Sequence, residues 1–153
     1  MNMSEREPDC RLRAMRREDG GIDVVTRNLT LRAEGQSSLD LDARHPSSLD
    51  LMVSALATDL LAGLAREAVR RGVSLDDAEL SLAARLDNPL VAIGVEGESG
   101  SPALAEVTGT LYLSADVDEP TLDGLWQRAL ARASVYSTLR QSTTIRIDLK
   151  LVS

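Results

Sequence analysis

Few residues in this sequence have side chains suited to covalent or metal chemistry. Cys10 is the only cysteine and His45 the only histidine among the 153 residues. A single thiol excludes an intrachain disulfide, and one cysteine with one histidine cannot form the ligand set of a zinc site. We therefore expect the chain to use no metal and no cofactor.

Asp59 is the most unusual of the remaining polar residues, because it lies in an apolar stretch between Leu56 and Leu60. A buried carboxylate is costly unless it is paired or hydrogen-bonded, and such groups often mark sites. Two interpretations stay open. Asp59 is either partly exposed or capped by a nearby hydroxyl, or it lies in a pocket where it pairs with an arginine of the N-terminal strands or accepts a hydrogen bond from Ser134. Ser134, His45 and Asp59 have the residue types of a hydrolytic triad, but no Gly-x-Ser-x-Gly motif accompanies them.

The charge balance argues against a nucleic-acid partner. The chain has 24 acidic and 17 basic residues and a formal net charge of −7, whereas phosphate backbones attract cationic surfaces. No apolar run reaches about 18 residues without a charged residue, and the polar start is unlike a signal peptide. We expect no membrane association and a cytoplasmic location.

The periodicity of apolar residues predicts an α+β chain with one domain over residues 10–153, preceded by a loose tail over 1–9. The segment 88–102 is predicted to contain a short strand followed by a Gly/Ser-rich tip. The predicted strands are 10–17, 22–27, 29–34, 78–86, 104–115 and 143–152, and the predicted helices are 49–71, 120–133 and a short turn within 135–141.

The helix predicted over 49–71 is apolar on nearly every side in its first half. Ser47 or Ser48 suits its N-cap, and Asp50 lies in the first turn, where the helix dipole favours an anion. A helix that is apolar all round is expected to be buried all round. Because one sheet covers only one face, we expect a second copy of the chain to cover the other face, as an obligate homodimer.

The start of this helix resembles the OsmC/Ohr family of osmotically inducible and organic-hydroperoxide-resistance proteins. Members of that family often begin the central helix with a Pro-x-Glu-Leu-Leu-like sequence, followed by Ala-Leu and then a reactive cysteine. In residues 48–59 of this chain, Ser48 stands in place of the proline and Asp50 in place of the glutamate. Asp59 stands where the reactive cysteine is expected.

A second motif strengthens the resemblance. In the family a helix is followed by Cys-Pro, a short turn and a final strand, and residues 131–139 match this with Ser134 and Val135 in place of Cys-Pro. Together with the order of elements, the resemblance covers roughly residues 10–152. It implies an OsmC-like fold with antiparallel sheets packed around a long buried central helix, in an intertwined homodimer.

The resemblance also implies a chemistry that this chain lacks the groups to perform. In the family one thiolate attacks a peroxide oxygen, becomes a sulfenic acid and is resolved by the second thiol as a disulfide. Neither Asp59 nor Ser134 can be oxidised in this way. An arginine stabilises the family's thiolate, and Arg11, Arg13 and Arg16 are the candidates for that role here.

Two functions are therefore expected. The favoured one is a non-catalytic dimer related to oxidative-stress proteins, which binds an apolar small molecule in a remnant pocket that includes Asp50, the three arginines and Tyr136. Asp59 and Ser134 would lie close together at the subunit interface, joined by a hydroxyl-to-carboxylate hydrogen bond. The alternative is a peroxiredoxin-like hydroperoxide reductase that acts through Cys10 alone.

Overall fold

The computed structural model describes residues 10–35 and 42–152. They fall into two compact units, Met1–Leu51 and Met52–Ser153, so the first helix begins in one unit and continues in the other. The predicted tail over 1–9 lies outside the described residues, and the prediction of one domain over 10–153 stays a prediction. The elements are β1 (Arg13–Arg16), β2 (Ile22–Thr26), β3 (Leu29–Ala33), α1 (Ser48–Arg71), β4 (Leu75–Leu86), α2 (Pro89–Ala92), β5 (Leu104–Ala115), α3 (Glu119–Arg132), α4 (Ser134–Leu139) and β6 (Thr144–Leu151).

The first unit contains a three-stranded antiparallel sheet in the order β1-β2-β3. The chain reverses between β1 and β2 at Gly20, whose φ of 89° suits a glycine, and the N–H of Arg17 donates to the carbonyl of Gly21 across the turn. This arrangement confirms the predicted β-meander. β1 is shorter than predicted, however, and Cys10 lies before it, exposed.

The second unit contains a mixed sheet in the order β4-β5-β6. β4 and β5 pair antiparallel with Leu80 opposite Leu111, whereas β5 and β6 pair parallel with Val107 opposite Ile145. The prediction of purely antiparallel sheets is therefore wrong for the last pair. The reason is topological: α3 and α4 form a crossover that returns the chain to the same end of the sheet.

The core of the second unit is aliphatic and rich in small residues. Gly63 of α1 faces Ala129 of α3, and a Cβ added at Gly63 would lie 3.6 Å from the alanine Cβ, an ordinary contact distance. Trp126 is the one aromatic residue in this core, at 4% exposure. The other buried apolar side chains are Leu56, Leu60, Leu64, Ala68, Leu104, Val107, Leu111, Leu113, Leu122, Leu125, Ala129 and Ala133.

The central helix α1 has the predicted bounds to within one residue, but it is not buried on all sides. Its buried residues form one stripe that runs from Leu56 to Ala68, while Val69 on another side is 79% exposed. Within the single chain, α1 is buried along one stripe only. The expectation from composition that α1 is buried on all sides is therefore wrong. By length and composition α1 could cross a membrane, but the core helix of a soluble protein passes the same test.

The strand predicted within 88–102 is wrong, because the segment begins with the short helix α2. Asn88 caps it by accepting a hydrogen bond of 3.0 Å from the N–H of Leu90, and Pro89 occupies the first helical position. The Gly/Ser-rich tip follows as turns with positive φ at Gly94, Gly97 and Gly100. Local capping therefore outweighed the apolar run of this segment.

Candidate functional site

The beginning of α1 is held by a reciprocal capping interaction. Ser47, not Ser48, is the capping residue: its hydroxyl accepts a 3.1 Å hydrogen bond from the N–H of Asp50. The Asp50 carboxylate in turn accepts from the N–H and the hydroxyl of Ser47, at 2.9 and 2.8 Å. This is a capping box with aspartate in the third position. Asp50 therefore has a structural partner next to it, and its membership of a pocket stays a prediction.

The beginning of α4 is capped from a different helix. Ala133, at the N-cap position, has no side-chain acceptor for the first N–H groups of α4. Asp59 of α1 supplies it: its Oδ2 atom accepts hydrogen bonds from the N–H of Val135 at 2.8 Å and of Tyr136 at 3.3 Å. These groups would otherwise be without an intrahelical acceptor. The half-buried Asp59 carboxylate thus joins α1 to α4 through the backbone.

Ser134 is the first residue of α4 and is exposed. Within the described ranges its hydroxyl makes no hydrogen bond to Asp59, so the predicted hydroxyl-to-carboxylate bond is replaced by the two backbone bonds. Because Val135 N is bonded to the Ser134 carbonyl carbon, the Ser134 hydroxyl and the Asp59 carboxylate lie within about 8 Å of each other. Their equivalence to the family's cysteine positions, and their place at a subunit interface, stay predictions.

A third carboxylate of α1, Glu67, was not singled out from the sequence. The side chain of Glu67 is 5% exposed and contacts Arg70 of the same helix at 2.9 Å and Arg132 of α3 at 2.5 Å. Burial raises the pKa of Glu67, but the hydrogen bonds and charges of Arg132 and Arg70 outweigh that effect and hold the pKa below its usual value. Helical periodicity could have predicted the burial of Glu67, since it falls on the same face of α1 as Leu60 and Leu64.

The two carboxylates together fix the junction between α3 and α4. Asp59 and Glu67 are eight residues apart on α1, which is about 12 Å along the helix. Glu67 holds Arg132 at the end of α3, and Asp59 holds Val135 in the first turn of α4. The junction is therefore held on one side by a side-chain ion pair and on the other by backbone hydrogen bonds.

A cleft of 570 Å³ opens beside this junction, between α4 and the beginning of β6. The guanidinium of Arg140 lies over the ring of Tyr136, 5.9 Å from its centroid. The N–H of Tyr136 is one of the two donors to Asp59, so the cleft and the cap share a residue. The lining residues are Tyr136, Arg140, Gln141, Ser142, Thr143, Thr144 and Ile145.

The three arginines proposed for the pocket lie in the first unit. Arg11 precedes β1, Arg13 and Arg16 belong to it, and all three are exposed. Their pairing with Asp59 in the second unit stays a prediction. Among the described residues of this unit, Arg17 and Arg32 are the arginines that pair with carboxylates, and neither was selected as a pocket residue from the sequence.

Those two arginines form an ion-pair network on β2 and β3. Asp23 accepts from Arg17 at 2.6 Å and from Arg32 at 2.8 Å, and Arg32 also pairs with Asp19. The hydrogen bonds from Arg32 and Arg17 hold the pKa of Asp23 below its usual value. The network braces the turn between β1 and β2, where Asp19 also accepts from the N–H of Gly21.

The sequence matches the family described as OsmC-like protein over residues 41–148. The match spans most of the chain, so the chain belongs to the OsmC-like protein family. This family is related to oxidative stress and hydroperoxide resistance. No curated protein is similar enough to the chain to count as a relative.

Solved structures with the same fold include proteins named for hydroperoxide resistance. An OsmC-like protein from Mycoplasma pneumoniae is 15% identical with a TM-score of 0.79, over 97% of this chain and 100% of that one. The organic hydroperoxide resistance protein OhrB of Bacillus subtilis is 13% identical with a TM-score of 0.60, over 92% and 97%. An organic hydroperoxide resistance protein OsmC from Legionella pneumophila is 13% identical with a TM-score of 0.64, over 94% and 99%. These likenesses confirm the predicted α+β, OsmC-like fold.

Proposed function

We propose that this chain is an OsmC-like protein that does not use the two-thiol peroxide reaction and that acts instead as a small-molecule-binding homodimer. The observation that carries the proposal is the role of Asp59. At the position where the resemblance expects a reactive sulfur, a carboxylate accepts hydrogen bonds from the N–H of Val135 and Tyr136. The group at this position holds two helices together.

The chemistry of the two side chains supports this proposal. Reduction of a peroxide needs a nucleophile that loses two electrons and is then regenerated, which a thiolate does through a sulfenic acid and a disulfide. The Asp59 carboxylate and the Ser134 hydroxyl have no accessible higher oxidation state. The Oδ2 atom of Asp59 is also already engaged by two backbone N–H donors.

Cys10 carries the second candidate function. It is exposed, which favours contact with a hydroperoxide, and it is the only cysteine of the chain. A sulfenic acid formed on Cys10 would have no resolving thiol in the same chain, so an external thiol would have to reduce it. We rank this one-cysteine reaction second because the family's reaction uses a second thiol to resolve the sulfenic acid, and the sequence contains one cysteine.

The test is consumption of cumene hydroperoxide in the presence of dihydrolipoamide, with the wild-type chain and the Cys10→Ser variant. We expect both proteins to match the rate without protein. Turnover by the wild type that is lost in Cys10→Ser would favour the one-cysteine reductase. Turnover that survives in Cys10→Ser would contradict the proposal, since no thiol would remain in the protein.

The homodimer is supported by the incomplete coverage of α1. A stripe of α1 away from the core exposes small apolar residues, among them Ala55, Ala62 and Val69. Burial of apolar surface is the main favourable term in protein association. A second copy that covers this stripe would complete the burial that the apolar composition of α1 predicts.

A further inference from the structure

We propose that the cleft between α4 and β6 binds a small organic anion that combines one carboxylate group with an apolar body. This inference rests on the proposed small-molecule-binding function and names the chemical class of the ligand. The cleft is shallow and open to solvent, and its volume of 570 Å³ is large enough for a small ligand, since small-molecule sites span roughly 300–1,000 Å³. Its walls come from the α4 helix, the turn after it and the first residues of β6.

The charge of the lining selects an anion. The whole chain carries a net charge of −7, yet the seven lining residues include one arginine and no acidic residue. Within the described ranges, the guanidinium of Arg140 forms no ion pair and faces the ring of Tyr136. A guanidinium offers a planar fork of donors that matches a carboxylate, so Arg140 is suited to hold the anionic group.

Of the other lining residues, two have side chains that bond to the backbone of the protein, and two have hydroxyls that face the cleft wall. The buried Thr143 donates its hydroxyl to the carbonyl of Leu104 at 3.0 Å, and Gln141 donates to the carbonyl of Ser137 at 3.2 Å. These bonds hold the turn between α4 and β6. The hydroxyls of Ser142 and Thr144 remain as hydrogen-bonding groups along the wall.

The apolar body of the ligand would lie against the Tyr136 ring and the Ile145 side chain, which are both half-buried. Aromatic rings give large, rigid contact area to an organic ligand. The backbone of Tyr136 is also held by α1, because its N–H donates to Asp59 at 3.3 Å. The cap on α4 therefore prepares one wall of the cleft, which reduces the ordering cost of binding.

The experiment is a titration of the ¹⁵N-labelled protein with benzoate, followed by backbone amide shifts, with benzyl alcohol as the neutral analogue and inorganic phosphate as the small inorganic anion. We expect saturable shifts confined to residues 136–145 with benzoate, and at least tenfold weaker binding of benzyl alcohol and of phosphate. Arg140→Gln should weaken benzoate binding at least tenfold. The matched control is Arg146→Gln, because Arg146 is a nearby exposed arginine of β6 that already pairs with Glu106 at 3.0 Å.

Three results would overturn the inference. They are no saturable shift with benzoate, binding of benzyl alcohol or phosphate as tight as that of benzoate, and equal weakening by Arg146→Gln and Arg140→Gln. The last result would show attraction by general surface charge. The hydroperoxide assay tests a different proposal. Turnover would contradict the non-thiol function whatever the result with benzoate. Failure of benzoate to bind would overturn the ligand class and leave the non-thiol function standing.

Discussion

At the scale of single residues, the most consequential feature is the carboxylate of Asp59 at the first turn of α4. Replacing it by alanine leaves the N–H groups of Val135 and Tyr136 without their acceptor. We expect Asp59→Ala to lower the free energy of unfolding by roughly 0.5–2 kcal/mol, the range for loss of a helix cap. Urea unfolding of the variant beside the wild type measures this difference in the free energy of unfolding. Asp123→Ala, at an exposed position of α3, is the control and should change stability by less than about 0.5 kcal/mol.

Glu67 gives a pH-dependent prediction. Its pKa in the folded chain lies below the ordinary value of 4.5, so its contribution to stability is present above pH 4.5 and is lost as the pH falls through the folded-state pKa. Glu67→Gln should therefore be less stable than the wild type at pH 7, and the difference should shrink at pH 3. The exposed Glu79 of β4 supplies the control variant Glu79→Gln. A difference between Glu67→Gln and the wild type that is the same at both pH values would contradict the prediction.

The sequence identified some of these residues and missed their partners. Asp59 and Ser134 were found because they interrupt two recognisable motifs. The donors to Asp59 were missed because they are backbone N–H groups, which every residue has and which only the fold can aim. Glu67 was missed because its partner Arg132 is 65 residues away in the chain.

At the scale of elements, the helices and strands were largely predictable because their apolar periods are long and regular. The bounds of α1 and α3 follow from Ser47 and Asp118, which cap them. The parallel pairing of β5 with β6 was not predicted, because strand direction depends on the crossover and not on the pattern of either strand. The segment of α2 was misassigned because a four-residue apolar run does not separate a strand from a helical turn.

Gly109 in the middle of β5 gives a prediction at the same scale. A Cβ at this position would overlap the carbonyl oxygen of Ser81 and the side chain of Leu82 on β4. We expect Gly109→Ala to lower the free energy of unfolding by about 1–3 kcal/mol, the usual cost of overpacking. Gly124→Ala in α3 is the contrasting variant, because its nearest neighbour is the movable end of Arg128 at 3.3 Å.

The two glycine variants should have different effects on the free energy of unfolding: Gly109→Ala should lower it, and Gly124→Ala should not. Alanine favours a helix over glycine by roughly 0.5–1 kcal/mol, so Gly124→Ala should raise stability or leave it unchanged. Thermal unfolding of the two variants beside the wild type decides the point. If Gly109→Ala were as stable as the wild type, the close pairing of β4 and β5 at Leu82 would be wrong.

At the scale of the whole molecule, the exposed apolar stripe of α1 predicts the oligomeric state. We expect a homodimer at micromolar concentration, with twice the 16.5 kDa mass of one chain by light scattering. Ala62→Glu places a charge on the stripe and should shift the equilibrium to monomer. Ala131→Glu, at an exposed position of α3, is the matched control and should leave the dimer intact.

A stable wild-type monomer would contradict the dimer prediction. Equal dissociation by Ala62→Glu and Ala131→Glu would place the interface elsewhere. The apolar composition of α1 predicts the dimer, and in the single chain the buried residues of α1 form one stripe only. The subunit arrangement itself depends on a second chain, which neither periodicity nor motif spacing describes.

We infer that Asp59 and the first turn of α4 occupy the place of the family's two thiols. The most direct measurement starts from the Cys10→Ser chain and adds Asp59→Cys with Ser134→Cys, then treats the reduced protein with one equivalent of cumene hydroperoxide. One thiolate would take an oxygen atom and release the alcohol, and the second would displace water to form the disulfide. We predict rapid loss of both free thiols as an intrachain disulfide, at least tenfold faster than in a control that pairs Asp59→Cys with Ser137→Cys on α4. Thiols that stay reduced, or that join only between chains, or that react equally in the control, would contradict the claim.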